Sequence, residues 1–368
     1  MIRLFRIGGI PIRLDAGWFL VFGLIAWSLA SGYFPYVLPG ESEGAYWAGG
    51  VIAALLLFAS VLLHELSHAL VARAHGVGVA AITLHVFGGI SELETEPPNP
   101  RAEFGIAIVG PITSVTLGGL AFAGRQAAAG HDWLAALFTY LSAVNVVVGV
   151  FNLVPGFPLD GGRILRAMLW WWSGRFERAT EIASRVGIGV AMLLVALGVA
   201  RLAGGDPTGG VWFVLLGLFL FQAARTAHEL ARIRGRLEPI SVASVMAGSS
   251  VAVSSQVSVD DVRNAELTAL ELGSVPVVDG DTLVGFLRRS DAERVRGRAF
   301  SVTEIMVPIR PNLTVAPSDS AWLALTRLGN NDVGRVAVVD HGRLIGIVAR
   351  EDVARALAVP RPSLGRAA

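Results

Sequence analysis

The sequence contains no cysteine. That excludes a disulfide-stapled secreted scaffold, zinc ribbons, iron–sulfur clusters and thiol nucleophiles. Lysine is missing too, since all 30 basic residues are arginine, so Schiff-base chemistry and a P-loop lysine are excluded. Charge is scarce: Asp, Glu, Lys and Arg make up 16% of the 368 residues, against roughly 25% in an ordinary soluble domain. Hydrophobic residues make up 53% and the mean hydropathy is +0.60. Such a chain cannot hide its apolar surface in one water-soluble core, so lipid must be part of its solvent. The net charge of +1 argues against nucleic acid as a partner. Any metal must be held by His, Asp, Glu or Asn.

The apolar residues are concentrated in the first two thirds. Six stretches reach the roughly 20 residues a bilayer-crossing helix needs: Ala16–Leu38, Tyr46–Ala74, Glu103–Ala123, Asp132–Val154, Ala179–Ala203 and Gly210–Leu230. Gly204-Gly205-Asp206-Pro207 stops a helix between the fifth and sixth. Arginine clusters before the first span, after the second, between the fourth and fifth, and after the sixth, whereas the other connections carry few. By the positive-inside rule both termini lie in the cytoplasm. A cleaved signal peptide is the competing reading of the N-terminus; Asp15 and the β-like run before it favour a short strand over Ile7–Leu14 instead. A second strand pair is expected over Ala81–Glu94, centred on Gly88-Gly89. Trp170-Trp171-Trp172 reads as an interfacial belt, and Asn145 as a hydrogen-bonding contact to a neighbouring helix.

Residues 237–368 read as a soluble α/β module with an internal repeat. Pro276-Val-Val-Asp279 with Leu283-Val-Gly285 is echoed by Ala337-Val-Val-Asp340 with Leu344-Ile-Gly346, an offset of 61 positions. Helical stretches are expected at Ser258–Leu272 and Ser318–Gly329. The expected organisation is a membrane domain over 1–236, repeats over 237–296 and 297–358, and a tail over 359–368.

The second span contains His64-Glu65-Leu66-Ser67-His68. Residues four apart share a helix face, so both imidazoles can converge on one ion, with Glu65 placed to move a proton beside it. Two His and a Glu within an apolar helix cost several kcal/mol unless they do something. The plainer alternative is a pair of histidines satisfied by interhelical hydrogen bonds. A catalytic zinc needs a third protein ligand and an open position. Asp160, in Asn152-Leu-Val-Pro155-Gly-Phe-Pro158-Leu-Asp160-Gly-Gly162, is the best candidate, because the prolines and glycine break the fourth span there. Its alternative role is an N-cap for a helix over Gly162–Trp172. His85 reads as a strand residue, with a polar position near the metal as the alternative.

These two motifs together resemble the site-2 protease family of intramembrane zinc metalloproteases. The N-terminal strand, Gly88-Gly89 and Gly110-Pro111 also sit where that family has them. The C-terminal repeat resembles a tandem pair of cystathionine-beta-synthase (CBS) domains, which one branch of the family carries. The resemblance implies a multi-pass α-helical membrane domain with short β segments, followed by a cytoplasmic α/β CBS pair. It implies one zinc per chain on His64, His68 and Asp160, with Glu65 as acid/base, Asn152 stabilising the oxyanion and Gly88-Gly89 bordering the substrate strand. A plain hairpin turn is the alternative for those glycines.

The implied reaction is hydrolysis of a peptide bond in or near a transmembrane segment of another protein, such as an anti-sigma factor or a remnant signal peptide. The implied location is the inner membrane. CBS pairs in the family bind adenosine nucleotides through a hydroxyl three residues before an Asp. Asp291 and Asp352 are present here, but Arg288 and Ala349 stand at the hydroxyl positions. Dimerisation through the repeat is the other role open to it. A CBS-gated transporter or channel is the competing function; it requires a polar path across the bilayer, whereas the ionisable residues cluster at one depth.

Overall fold

Period-two alternation shapes the first element. In β2 (Ile10–Leu14), Ile10, Ile12 and Leu14 are buried while Pro11 and Arg13 are not. The computed structural model, which describes residues 2–86, 88–248, 252–265, 273–295 and 300–358, pairs β2 antiparallel with β1 (Ile2–Ile7). The single strand expected over Ile7–Leu14 is therefore a hairpin. Gly8 and Gly9 both take positive φ (55° and 85°), which turns the chain where an extended strand was expected. The chain falls into two compact units, Met1–Glu229 and Leu230–Ala368.

The first unit contains six helices long and apolar enough to cross a membrane. Asp15 caps α1 (Ala16–Ser28) by accepting a hydrogen bond from the Gly17 N–H. The helix then widens into a π turn at Leu29–Tyr33 before α2 (Phe34–Val37). Pro35 has no N–H to offer the carbonyl four residues back, which accounts for the local change of winding. Ser42 caps α3 (Glu43–Ala74), which carries the histidine motif. Two strands follow, β3 (Val79–His85) and β4 (Gly88–Leu93), then α4 (Pro100–Ala127), capped by Asn99. The unit continues with α5 (Asp132–Asn152), α6 (Asp160–Ser173) and α7 (Phe176–Ala203); α8 (Pro207–Leu237) leads onward. Large side chains such as Leu20, Leu120, Leu193 and Trp212 are more than half exposed, as lipid-facing residues must be. Asn145 is buried and donates to Ser60 Oγ of α3 at 3.3 Å, the interhelical contact expected of it.

The four strands form one sheet in the order β1-β2-β3-β4, with β2 and β3 parallel and the other pairs antiparallel. Ile10, Ile12 and Ile82 pack on Ala69 of α3, so the sheet lies against the helix turn that follows the histidines. Arg73, in the last turn of α3, donates to the Gly8 carbonyl and ties the hairpin to the same helix. β4 is an edge strand.

The second unit is a mixed sheet flanked by helices. Each repeat centres on an antiparallel pair, β5 (Ser274–Asp279) with β6 (Thr282–Arg288), and β7 (Arg335–Asp340) with β8 (Arg343–Ala349). The helix expected at Ser318–Gly329 is found at Ala321–Gly329, capped by Ser320. The one expected at Ser258–Leu272 is seen at Val259–Ala265, and its remainder lies outside the described residues, as do the 296/297 boundary and the 359–368 tail. The repeats exchange their leading segments. Val242, at the start of the first repeat, is buried among Val336, Val338 and Val348 of the second, and its N–H donates to Asp319 O. Val302, at the start of the second, is buried among Val253, Val275 and Val277 of the first.

Candidate metal centre

Three polar side chains from two distant stretches meet inside the first unit. His64 and His68, one turn apart on α3, present their Nε2 atoms to each other at 3.1 Å. Asp160 Oδ2 lies 3.1 Å from each of them. All three residues are at most 9% exposed. Asp160 is the first residue of α6 and Leu159 is its N-cap, so the capping alternative is not what the structure shows. The break at Pro155, Gly156 and Pro158 ends α5 at Asn152 and lets α6 start with its carboxylate facing the rings.

The far nitrogen of each ring is also engaged. His68 Nδ1 lies 2.5 Å from the Ile106 carbonyl, which can only accept, so Nδ1 carries a proton and the neutral form of the ring offers its lone pair at Nε2. His64 Nδ1 lies 2.8 Å from Ser114 Oγ. Ile106 and Ser114 both belong to α4, and between them lies Gly110. A Cβ added at Gly110 would overlap the Nε2 atoms of both histidines. Electron-rich donor atoms converging in a space that one methyl group would fill are suited to a cation. Tetrahedral zinc with bonds of about 2.0–2.1 Å separates its ligands by about 3.3 Å, within a few tenths of the spacing seen here. The residues present therefore fit zinc. Gly110→Ala is expected to weaken zinc binding by about 10- to 100-fold while the helical content stays unchanged. Chelator competition alongside circular dichroism measures both, and parent-like affinity would show that α4 does not confine the rings.

Glu65 gathers with the two histidines but turns toward the sheet. Its Oε2 accepts from Ser91 Oγ of β4 at 2.8 Å, and its backbone carbonyl accepts from the same hydroxyl at 3.1 Å. Gly89 of β4 faces it so closely that a Cβ there would overlap Glu65 Cγ. Gly88 and Gly89 are thus both strand residues, and the turn of this hairpin precedes them. Asn152, the last residue of α5, gives its side-chain N–H to Val148 O of its own helix at 3.0 Å. Among the described contacts it is not drawn into the cluster. His85 ends β3, paired with Gly88, as a strand residue; burial lowers its pKa against the opposing charge of Glu65. In the second unit, Arg288 is engaged by Asp291 and Asp332 at 2.5 Å each, and the Asp291 hydrogen bond raises its pKa.

Sequence reasoning did not reach Ser91, Ser114 or the Ile106 carbonyl. Each acts across a helix–helix or helix–strand contact that leaves no pattern in the linear chain. It also missed a buried ion pair: Glu103 of α4, fully buried, accepts from Arg166 Nε of α6 at 2.7 Å.

Helices sufficient for six spans, a buried His/His/Asp cluster with a glutamate beside it, and a sheet against that cluster define a membrane-embedded metallopeptidase. The model of peptidase family M50 matches residues 52–131 and 124–194, and the CBS domain model matches 242–296 and 302–359. Rip3 of Mycobacterium tuberculosis is 34% identical, covering 98% of this chain and 93% of its own length. The zinc metalloprotease MJ0392 of Methanocaldococcus jannaschii is 29% identical over 97% of this chain and 96% of its own. A solved structure of a site-2 protease from the same archaeon is 32% identical, covers 62% of this chain and 94% of that one, and superposes with a TM-score of 0.45. The chain belongs to peptidase family M50, the site-2 proteases, and carries a C-terminal tandem CBS domain. It is a metalloprotease, and the transporter reading falls away.

Proposed function

We propose that this protein is a zinc-dependent endopeptidase cutting a membrane protein within or beside a transmembrane segment near the cytoplasmic face. The observation that carries this reading is the convergence of His64, His68 and Asp160 at 3.1 Å, with Glu65 alongside. Zinc, when bound there, would supply Lewis-acid polarisation and acidify water to about pKa 7.

The chain's own residues supply the rest. Glu65 takes the water proton and returns it to the leaving amine. Ser91 holds the Glu65 carboxylate by Oε2, which keeps it turned toward the sheet and available as a base. A transmembrane helix hides its carbonyls in its own hydrogen bonds, so the substrate must be extended before attack. The free edge of β4 can receive such a segment by strand addition, with Gly88 and Gly89 allowing close approach. Asn152 polarises the scissile carbonyl after its amide exchanges away from Val148 O. His68 precedes the end of α3 at Ala74 by six residues, about 9 Å, which supports water entry from the cytoplasmic side. The arginine bias supports placing both termini and the CBS pair on that side of the inner membrane.

The test uses a single-span reporter co-reconstituted with the full chain in vesicles. Cleavage is expected to stop on chelation and return with added zinc; cleavage indifferent to chelator would refute the reading. The CBS pair is proposed to regulate the site, so a chain ending after Arg236 should differ from the full chain in the same assay by at least about threefold. Equal rates would remove the regulatory role.

A further inference from the structure

The polar stripe of α4 does not end at the metal centre. Glu103, Ile106, Gly110 and Ser114 recur at intervals of three and four, so they share one helix face. The last three confine the imidazoles. Glu103, two turns from Gly110, is fully buried and bound to Arg166 through Nε and Nη2. Arg166 stands on α6 six residues after Asp160, about 9 Å farther along the helix and roughly 120° around it. The two helices therefore meet at two levels about 9–10 Å apart. Asp160 meets the rings beside Gly110 at one level, and Arg166 meets Glu103 at the other.

The second level is built with directional contacts. The Arg166 guanidinium lies 4.6 Å from the Phe176 ring, at the start of α7, and 5.0 Å from the Phe157 ring, in the break before α6. Arg163 Nε lies 4.0 Å from Glu103 Oε1, and Glu96 Oε2 lies 3.9 Å from Arg166. One guanidinium thus fastens the helix that supports both histidines, the helix that begins with the carboxylate, and the loop that aims it. A fully buried carboxylate is costly in an apolar surround unless it is paired, and burying this pair contributes little to net stability. Its use lies elsewhere.

We propose that Glu103 and Arg166 are positioning residues that fix the rotation and height of α6 on α4, and so hold Asp160 at the distance zinc requires. This rests on Asp160 being a metal ligand. The full chain in detergent is titrated with zinc against a chelator and, separately, with cobalt(II), whose visible absorption reports ligand geometry. Arg166→Met is expected to lose about 10- to 100-fold in zinc affinity and to weaken the tetrahedral cobalt band. Arg166→Lys, which keeps the charge without the planar fork, should recover part of both. Glu103→Leu with Arg166→Met removes both charges together, so its Tm should match the parent while zinc affinity and the cobalt spectrum stay impaired.

If that double variant binds zinc and cobalt like the parent, the pair is merely structural and the proposal is overturned. Asp160→Ala separates the two possible failures. Should it bind zinc like the parent, the metal centre itself has been misread. Should it lose zinc while the double variant keeps it, only the positioning role falls.

Discussion

A chain carrying Glu65→Gln is expected to keep its zinc and lose its proteolysis. Glutamine has nearly the same volume and still offers Ser91 Oγ an acceptor oxygen, so the contact between α3 and β4 survives. What disappears is the carboxylate that the proposed mechanism uses to take a proton from water and return it to the departing amine. General acid–base catalysis contributes about 10²–10⁴-fold, and the rate of reporter cleavage should fall by that factor. Metal analysis of the purified variant should match the parent. Undiminished cleavage would remove Glu65 from the mechanism.

Asp160→Ala attacks the same activity from the other side. Two imidazoles four residues apart can hold zinc only weakly, and among the described residues Asp160 of α6 supplies the carboxylate that lies 3.1 Å from both. Zinc affinity should fall by more than the roughly 10- to 100-fold typical of losing an outer partner, and cleavage should vanish with it. The loss leaves α6 and its contact with α4 through Glu103 and Arg166 in place, so the helical content should persist. Chelator competition and cleavage measured on one preparation decide the matter. Retained zinc at parent affinity would sink the ligand assignment.

How much of this was legible in the chain differs residue by residue. His64 and His68 could be found because a helix has a fixed period, and four residues bring two rings to one face. Asp160 could be found because Pro155, Gly156 and Pro158 interrupt an apolar run, and polar groups at such a break need a purpose. The spans themselves were visible as lengths of apolar chain; four of the six helical segments run a few residues beyond the expected limits at one or both ends, and the first and fourth stop one or two residues short.

Ser91, Ser114 and Gly110 were not legible as parts of one site, because their meaning comes from what lies opposite them in space. Arg163 and Arg166 read as charges that orient the protein in the membrane. Their other role appears only when α6 is laid on α4 and Glu103 is found waiting there. The N-terminal hairpin was missed for a local reason: the turn at Gly8-Gly9 splits what a β-rich run suggested was one strand.

The exchange of leading segments between the CBS repeats carries a consequence of its own. Val242 completes the interior of one half and Val302 the interior of the other, so neither half owns a finished hydrophobic centre. The halves stand or fall as a unit: loosening either withdraws a plug from its sibling. A molecule that grips one repeat is therefore felt by both, and a single repeat cut away from this chain would be left with an open wound where its neighbour's helix belongs.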